Sequence, residues 1–168
     1  EQMIEALTVS NVEVNAVLLR YFNPAGAHPT ALIGELPIDK PQNLAPVITQ
    51  TAIGKLNELV VFGDDYPTTD GSCIRDLIHI CDLAHAHTLA LNYIIEKKNK
   101  TNCIAYNIGS GNGISVFEAI KAFEENTGVK LNYRVGKRRA GDVVAIYANN
   151  EKARKDLGWE PKYTIKDI

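Results

Sequence analysis

Two clusters of charge hold the residues best suited to chemistry. Arg75-Asp76 sits between Ile74 and Leu77, in a stretch that reads as extended and buried. A charged pair in that setting needs partners or a ligand, because an unpaired charge removed from water is costly. Further along, Lys137-Arg138-Arg139-Ala140-Gly141-Asp142 groups three cations just after an extended segment, with a glycine that allows close backbone approach. The planar fork of arginine suits phosphate oxygens. Arg75 and Arg139 together could clamp a diphosphate, with Asp142 accepting a bond from a sugar or ribose hydroxyl. The same residues also read as a structural ion-pair network, and type and spacing alone leave both readings open.

Other candidate chemistries are weaker. Gly109-Ser110-Gly111-Asn112-Gly113 lies between a predicted strand and a predicted helix. Its spacing departs from the G-x-G-x-x-G of dinucleotide loops, and Glu124 and Glu125 fall inside the next helix, not at the end of the next strand. It reads as a tight strand-to-helix turn near a ligand. His79, Cys81, Asp82, His85 and His87 suggest a metal cluster. On a helix starting at Asp82, however, His85 and His87 diverge by about 200°, so no metal is expected. Ser110 lacks the G-x-S-x-G setting of a nucleophile and has no histidine near it in sequence.

These residues must be positioned by an alternation of strands and helices, which predicts the α/β class. Residues 14–22 read as a buried strand rich in β-formers, ended by turn chemistry from Asn23 to Pro29. Asn43 is placed to cap a helix with Leu44, Val47, Ile48 and Ala52 inward, ending at Gly54. Residues 59–62 and 74–80 read as extended, with a loop between. Asp82 is expected to cap a helix burying Leu83, Ala86, Ala90, Leu91 and Ile94. Residues 103–108 form a strand, and Ser115-x-x-Glu118 is a capping box opening a helix to Gly128. Residues 131–135 form a strand, and Asn149 caps a final helix ending at Gly158. At the start, Met3, Ile4 and Leu7 share one face of an uncapped helix. Thr164 and Asp167 near the end resemble the opening of another, so an internal portion of a longer protein is expected.

The composition bounds the partners. The 168 residues are 45% hydrophobic and 23% charged, enough for a real core. The 18 basic and 20 acidic residues are mixed, with net charge −2, which argues against nucleic acid or a membrane surface as partner. Three single cysteines without a C-x-x-C pair favour a reducing, cytoplasmic setting. No apolar run approaches the roughly 20 residues of a membrane helix.

A longer pattern runs through the whole chain. Arg20-Tyr21-Phe22-Asn23-Pro24-Ala25-Gly26-Ala27-His28-Pro29 is followed by Asn43-Leu44-x-Pro46 and by Phe62-Gly63-x-Asp65-Tyr66-Pro67-Thr68-x-Asp70-Gly71. Arg75-Asp76-x-Ile78-His79-x-x-Asp82-Leu83-Ala84 comes next, then Tyr106-Asn107-x-Gly109, Ser115-Val116, Arg138-Arg139-x-Gly141-Asp142 and Leu157-Gly158-Trp159. This ordered series resembles the UDP-glucose (UDP-galactose) 4-epimerases of the extended short-chain dehydrogenase/reductase family. The Pro24-to-Pro29 stretch stands where related dehydratases and decarboxylases usually carry V-Y-G-P.

The resemblance implies the C-terminal portion of an NAD-binding Rossmann-type fold. Residues 1–23 would be the last part of the Rossmann core. Residues 24–168 would be mainly the UDP-sugar-binding region, with some segments returning to the core. It implies an isomerase that interconverts UDP-galactose and UDP-glucose through a 4-keto sugar, using NAD, as a cytoplasmic homodimer. The family's Y-x-x-x-K base helix and phosphate loop would lie upstream of Glu1. No catalytic residue is therefore assigned within the chain, and residues 1–168 alone are expected to be inactive. Alternatives are a 4-epimerase acting on UDP-N-acetylhexosamines or UDP-pentoses, or a non-catalytic nucleotide-sugar-binding module.

The resemblance also implies roles. Tyr21 and Phe22 would border the nicotinamide and Asn23 the sugar diphosphate. Asn43 and Leu44 would touch the diphosphate and uridine side, and Val60, Val61 and Phe62 would form the uracil slot. Arg75 and Arg139 would grip the diphosphate, and Asp142 would hold a ribose hydroxyl. Gln42 replaces the first Asn of the usual N-N-L. Ile146 falls where the family carries either Tyr or a small residue gating the sugar pocket, so it bears on substrate breadth.

Overall fold

The computed structural model describes residues 1–168. The chain runs α1 (Gln2–Ser10), β1 (Ala16–Tyr21), β2 (Asn23–Ala25), α2 (Leu44–Ala52), β3 (Leu59–Phe62), β4 (Ile74–Arg75), β5 (Leu77–His79), α3 (Ile80–Ile95), β6 (Cys103–Ile108), β7 (Ile114–Ser115), α4 (Val116–Thr127), β8 (Tyr133–Gly136), β9 (Ala145–Ile146) and α5 (Glu151–Leu157). No helix is long and apolar enough to cross a membrane.

Four of the five strand pairings are parallel, as an α/β alternation requires. β1 pairs with β6, Ala16 opposite Cys103 and Tyr21 opposite Ile108. β2 pairs with β5, and β3 with β8. β4 lies between β9, parallel to it, and β7, antiparallel. One core gathers Ile78, Leu83, Ala86, Ala90, Tyr93, Tyr106, Ile108, Ala153, Leu157 and Trp159 where α3 and α5 cover β6. A second joins Ile48, Leu59, Val61, Ala119, Ile120 and Leu131. It belongs to α2, α4 and β3, with Leu131 just before β8.

Several local expectations are corrected. The turn expected at residues 23–29 begins with a strand, because Asn23–Ala25 finds a partner in β5. The extended segment 74–80 divides at Asp76 into two strands of different sheets. Asp82 does not cap α3. His79 does, its Nδ1 accepting from the Cys81 amide at 3.1 Å. The buried Asp82 carboxylate instead accepts from the Lys162 and Tyr163 amides, at 3.0 Å each, and so holds the chain that follows α5. Leu91 is 59% exposed, and Tyr93 takes the inward place. Residues 14–22 are at most half-buried, since β1 has a strand on one edge only. Met3, Ile4 and Leu7 are exposed along α1. Leu131 lies in the core and not in a strand, its amide donating to Glu124 Oε1 at 2.9 Å. Asn150 is the N-cap of α5, with the Asn149 side chain accepting from the Glu151 amide from one position further out. The side chain of Asn43, the N-cap of α2, makes no capping bond. The capping box at Ser115 and Glu118 forms as expected, and Gly128 closes α4 in the left-handed region.

A candidate diphosphate-binding site

β4, β9 and the turn after β8 bring the two charged clusters of the sequence together. Arg75 Nη2 donates to Asp142 Oδ1 at 3.2 Å, and Arg139 Nη2 donates to the same oxygen at 2.8 Å. Arg139 Nε reaches Asp142 Oδ2 at 3.2 Å. Two guanidinium groups therefore converge on one carboxylate, whose side chain is only 9% exposed. The bond to Arg139 chiefly, reinforced by the charges of both arginines, holds the Asp142 carboxyl below its ordinary pKa despite partial burial, and the same bond raises Arg139. Arg75 is further anchored through Nη1 to the carbonyls of Ile74 and Val143, at 2.8 Å each. Arg139 stays 54% exposed and lies over the Phe62 ring, 5.5 Å from its centroid. The arrangement is an ion-pair network in which two guanidinium forks share one carboxylate.

β3 supplies the wall beside the arginine pair. Its alternation puts Leu59 and Val61 in the core and leaves Val60 half-buried and Phe62 exposed. Val61 is only 1% exposed, so it can offer a ligand its backbone alone, and the ring at this wall is that of Phe62. The backbone period of two dictates this, since Val60 and Phe62 must share the face opposite Val61. Ile146 is brought beside the arginine pair by pairing opposite Arg75, and it is 46% exposed. Asn23 also lies close, its amide donating to the Asp76 carbonyl at 3.1 Å. Asn43 and Leu44 open α2, where Asn43 Nδ2 donates to Glu35 at 3.4 Å and Leu44 packs on the second core. Tyr21 and Phe22 stand at the C-terminal end of β1, away from any bond to the arginines, with the Phe22 amide donating to Ile108 at 3.1 Å.

Sequence reasoning missed the role of Asp76. Its carboxylate is fully buried. Oδ1 accepts from the Ser110 amide at 2.7 Å and from its hydroxyl at 2.6 Å, while Oδ2 accepts from the Gly111 and Ala148 amides at 3.1 and 3.0 Å. The glycine loop is the tight turn its composition predicts, and its amides cradle the protein's own carboxylate. A Cβ at Gly109 would stand 2.5 Å from Asp76 Oδ2, so only glycine fits there. Nothing local in the sequence signals a carboxylate whose donors lie more than thirty positions away. His79, likewise, is found stacked on Tyr163, ring centroids 4.1 Å apart. His87 Nδ1 lies 2.9 Å from the Leu83 carbonyl.

Beside Arg139, Arg138 Nε donates to Asp65 Oδ1 at 2.7 Å, and its guanidinium lies 4.2 Å above the Tyr66 ring. Gly63–Asp65 and Arg134–Arg138 line a polar cleft at the ends of β3 and β8. Ligands of open parallel sheets bind at such strand ends.

Comparison with known proteins agrees with this architecture. UDP-glucose 4-epimerase uge1 of Schizosaccharomyces pombe is 49% identical over 168 residues, covering all of this chain and 47% of the relative. UDP-glucose 4-epimerase of Bacillus subtilis is 46% identical over 168 residues and is covered over 48% of its length. A crystal structure of UDP-glucose 4-epimerase from Stenotrophomonas maltophila, with bound NAD and formylated UDP-arabinopyranose, superposes with a TM-score of 0.95 at 45% identity, covering 99% of this chain and 49% of that one. The Bifidobacterium longum enzyme, in complex with NAD+ and UDP, gives 0.92 at 44% identity, covering 99% of this chain and 49% of that one. The chain thus spans about half the length of the relatives it matches. The fold is the α/β Rossmann type of the extended short-chain dehydrogenases. With residues 6–168 matching the family model described as GDP-mannose 4,6 dehydratase, the chain belongs to that family.

Proposed function

We propose that this chain forms the UDP-sugar-binding part of a UDP-glucose 4-epimerase, which interconverts UDP-galactose and UDP-glucose with NAD. The observation that carries the reading is the convergence of Arg75 and Arg139 on one nearly buried position, with the exposed Phe62 ring beside it. Guanidinium forks held in this way present directed donors to diphosphate oxygens, and an aromatic ring offers a stacking face for uracil. Asp142 orients both forks and has further lone pairs for a ribose hydroxyl. Val60 and the Val61 backbone border the uracil side, Asn43 and Leu44 the far side, and Asn23 the diphosphate near the sugar.

Tyr21, 53% exposed, and Phe22 stand at the end of β1, where their rings could border a flat ring such as a nicotinamide. When bound, NAD supplies the hydride acceptor and donor for C4 of the hexose. The residues of this chain hold the UDP end while the sugar turns beside Ile146. In this reading β1, β6, α3 and α5 complete the Rossmann core, and α2, β3, β8 and α4 build the substrate region. The exposed apolar side chains of α1 support a homodimer of the full-length protein, and the free cysteines support a reducing, cytoplasmic setting.

A second reading concerns breadth. The Arabidopsis thaliana relative, 47% identical, is a bifunctional UDP-glucose and UDP-xylose 4-epimerase. Ile146 is compatible with a pentose as well as a hexose. The test is conversion of UDP-galactose, UDP-xylose and UDP-N-acetylglucosamine by the full-length protein. UDP-galactose turnover supports the proposal, and binding of UDP without turnover of any of the three favours a non-catalytic module.

A further inference from the structure

We propose that Asp76 is the positioning residue of the arginine clamp, setting Arg75 and Ile146 by pinning both neighbours of β4. The inference rests on the reading of Arg75 and Arg139 as a diphosphate clamp.

β4 has only two residues, as do β7 and β9. Strands this short exchange few ladder bonds, so their pairing alone specifies register weakly. Asp76 follows directly after Arg75 and takes over where the ladder stops. On one side its Oδ2 accepts from the amide of Ala148, two residues beyond Ile146, the partner of Arg75. On the other side it accepts from Ser110 and Gly111, in the turn leading into β7, whose Ile114 also pairs with Arg75. Its own carbonyl accepts from Asn23. One residue thus ties the glycine turn to the two segments that carry Ile146 and Asn23, both proposed ligand residues.

The carboxylate is fully buried and has no arginine, lysine or histidine in salt-bridge contact. Four directed donors replace a counter-ion, and each bond to a charged acceptor is stronger than a neutral one. An ordinary core-filling residue would not concentrate four bonds on two oxygens at the end of the central strand of a three-stranded sheet. Asparagine would keep the shape, but its amide nitrogen would face a backbone N–H on whichever side it is placed: Ser110 on one, Gly111 and Ala148 on the other. One neighbour of β4 is then released, and Arg75 with it.

The experiment is UDP titration by calorimetry on the full-length protein and its Asp76→Asn, Arg75→Ala and double variants. Asp76→Asn is expected to weaken UDP five- to tenfold. The double variant should bind no more weakly than Arg75→Ala alone, because Asp76 acts through Arg75. A merely structural role would not give that non-additivity. Should Asp76→Asn fail to fold, Ser110→Ala leaves the carboxylate and its three amide donors in place while removing the 2.6 Å hydroxyl bond, together with the hydroxyl's contacts to the Asn112 backbone, and is expected to weaken UDP two- to threefold. Unchanged affinity in Asp76→Asn, or in Ser110→Ala where that variant replaces it, would overturn the inference, as would effects that multiply in the double variant. Wild-type protein that binds no UDP would overturn the clamp reading itself, and this inference with it.

Discussion

Replacing Arg139 by alanine removes one half of the clamp with little disturbance of the fold. The guanidinium makes two bonds to Asp142, at 2.8 and 3.2 Å, and stacks over Phe62. Asp142 retains Arg75 at 3.2 Å, so its nearly buried charge is not stranded and the variant is expected to fold. In the proposed complex, the fork of Arg139 would turn to diphosphate oxygens. A hydrogen bond involving a charged group contributes about 1.5–3 kcal/mol. At about 1.4 kcal/mol per factor of ten, its loss raises the UDP dissociation constant about 10- to 150-fold. The side chain is 54% exposed, and solvent screening places the expected value near the lower end. Arg139→Lys keeps the charge but loses the fork, so its affinity should fall between the two. Calorimetric titration of UDP into the three full-length proteins at low salt measures the effect. An Arg139→Ala dissociation constant within twofold of wild type would refute the clamp and leave these residues as a purely structural network.

Three further outcomes are expected. Ile146→Tyr fills the space beside Arg75, and overfilling costs about 1–3 kcal/mol, so any activity on UDP-N-acetylglucosamine should disappear while UDP-galactose is spared. An unchanged ratio of the two activities would remove Ile146 from the pocket. The pKa of Asp142 is depressed in the folded state. The stability it contributes is therefore present above its unfolded value of about 4 and is lost as pH falls through the folded value. Asp142→Asn should accordingly be less stable at neutral pH and lose less stability than wild type below pH about 4. Parallel urea midpoints for the two proteins across that range would contradict this. Gly109→Ala would put a Cβ 2.5 Å from Asp76 Oδ2 and 2.7 Å from the Ala148 Cβ, and should cost about 1–3 kcal/mol by overpacking. A urea midpoint equal to that of wild type would show that the loop does not wrap the carboxylate as described.

Local chemistry in the sequence determined much of this protein. β3 and β6 lie where their apolar runs placed them, and the capping box at Ser115 and the glycine at 128 bound α4 as their types require. The pairing of Arg75 with the cluster at 138–142 was legible as a chemical need, because buried-looking charges must find partners. Tertiary structure decided what distance in sequence concealed. Asp82 looked like a cap, but a carboxylate in the first turn of a helix serves whichever amides reach it, and the chain after α5 supplied two. The extended run at 74–80 gave no sign of its division, since two strands in different sheets read like one until their partners are known. The glycine loop reads as a tight turn, but nothing in its sequence says that it closes on Asp76. Its donors sit far along the chain, and only folding places four of them around one buried carboxylate.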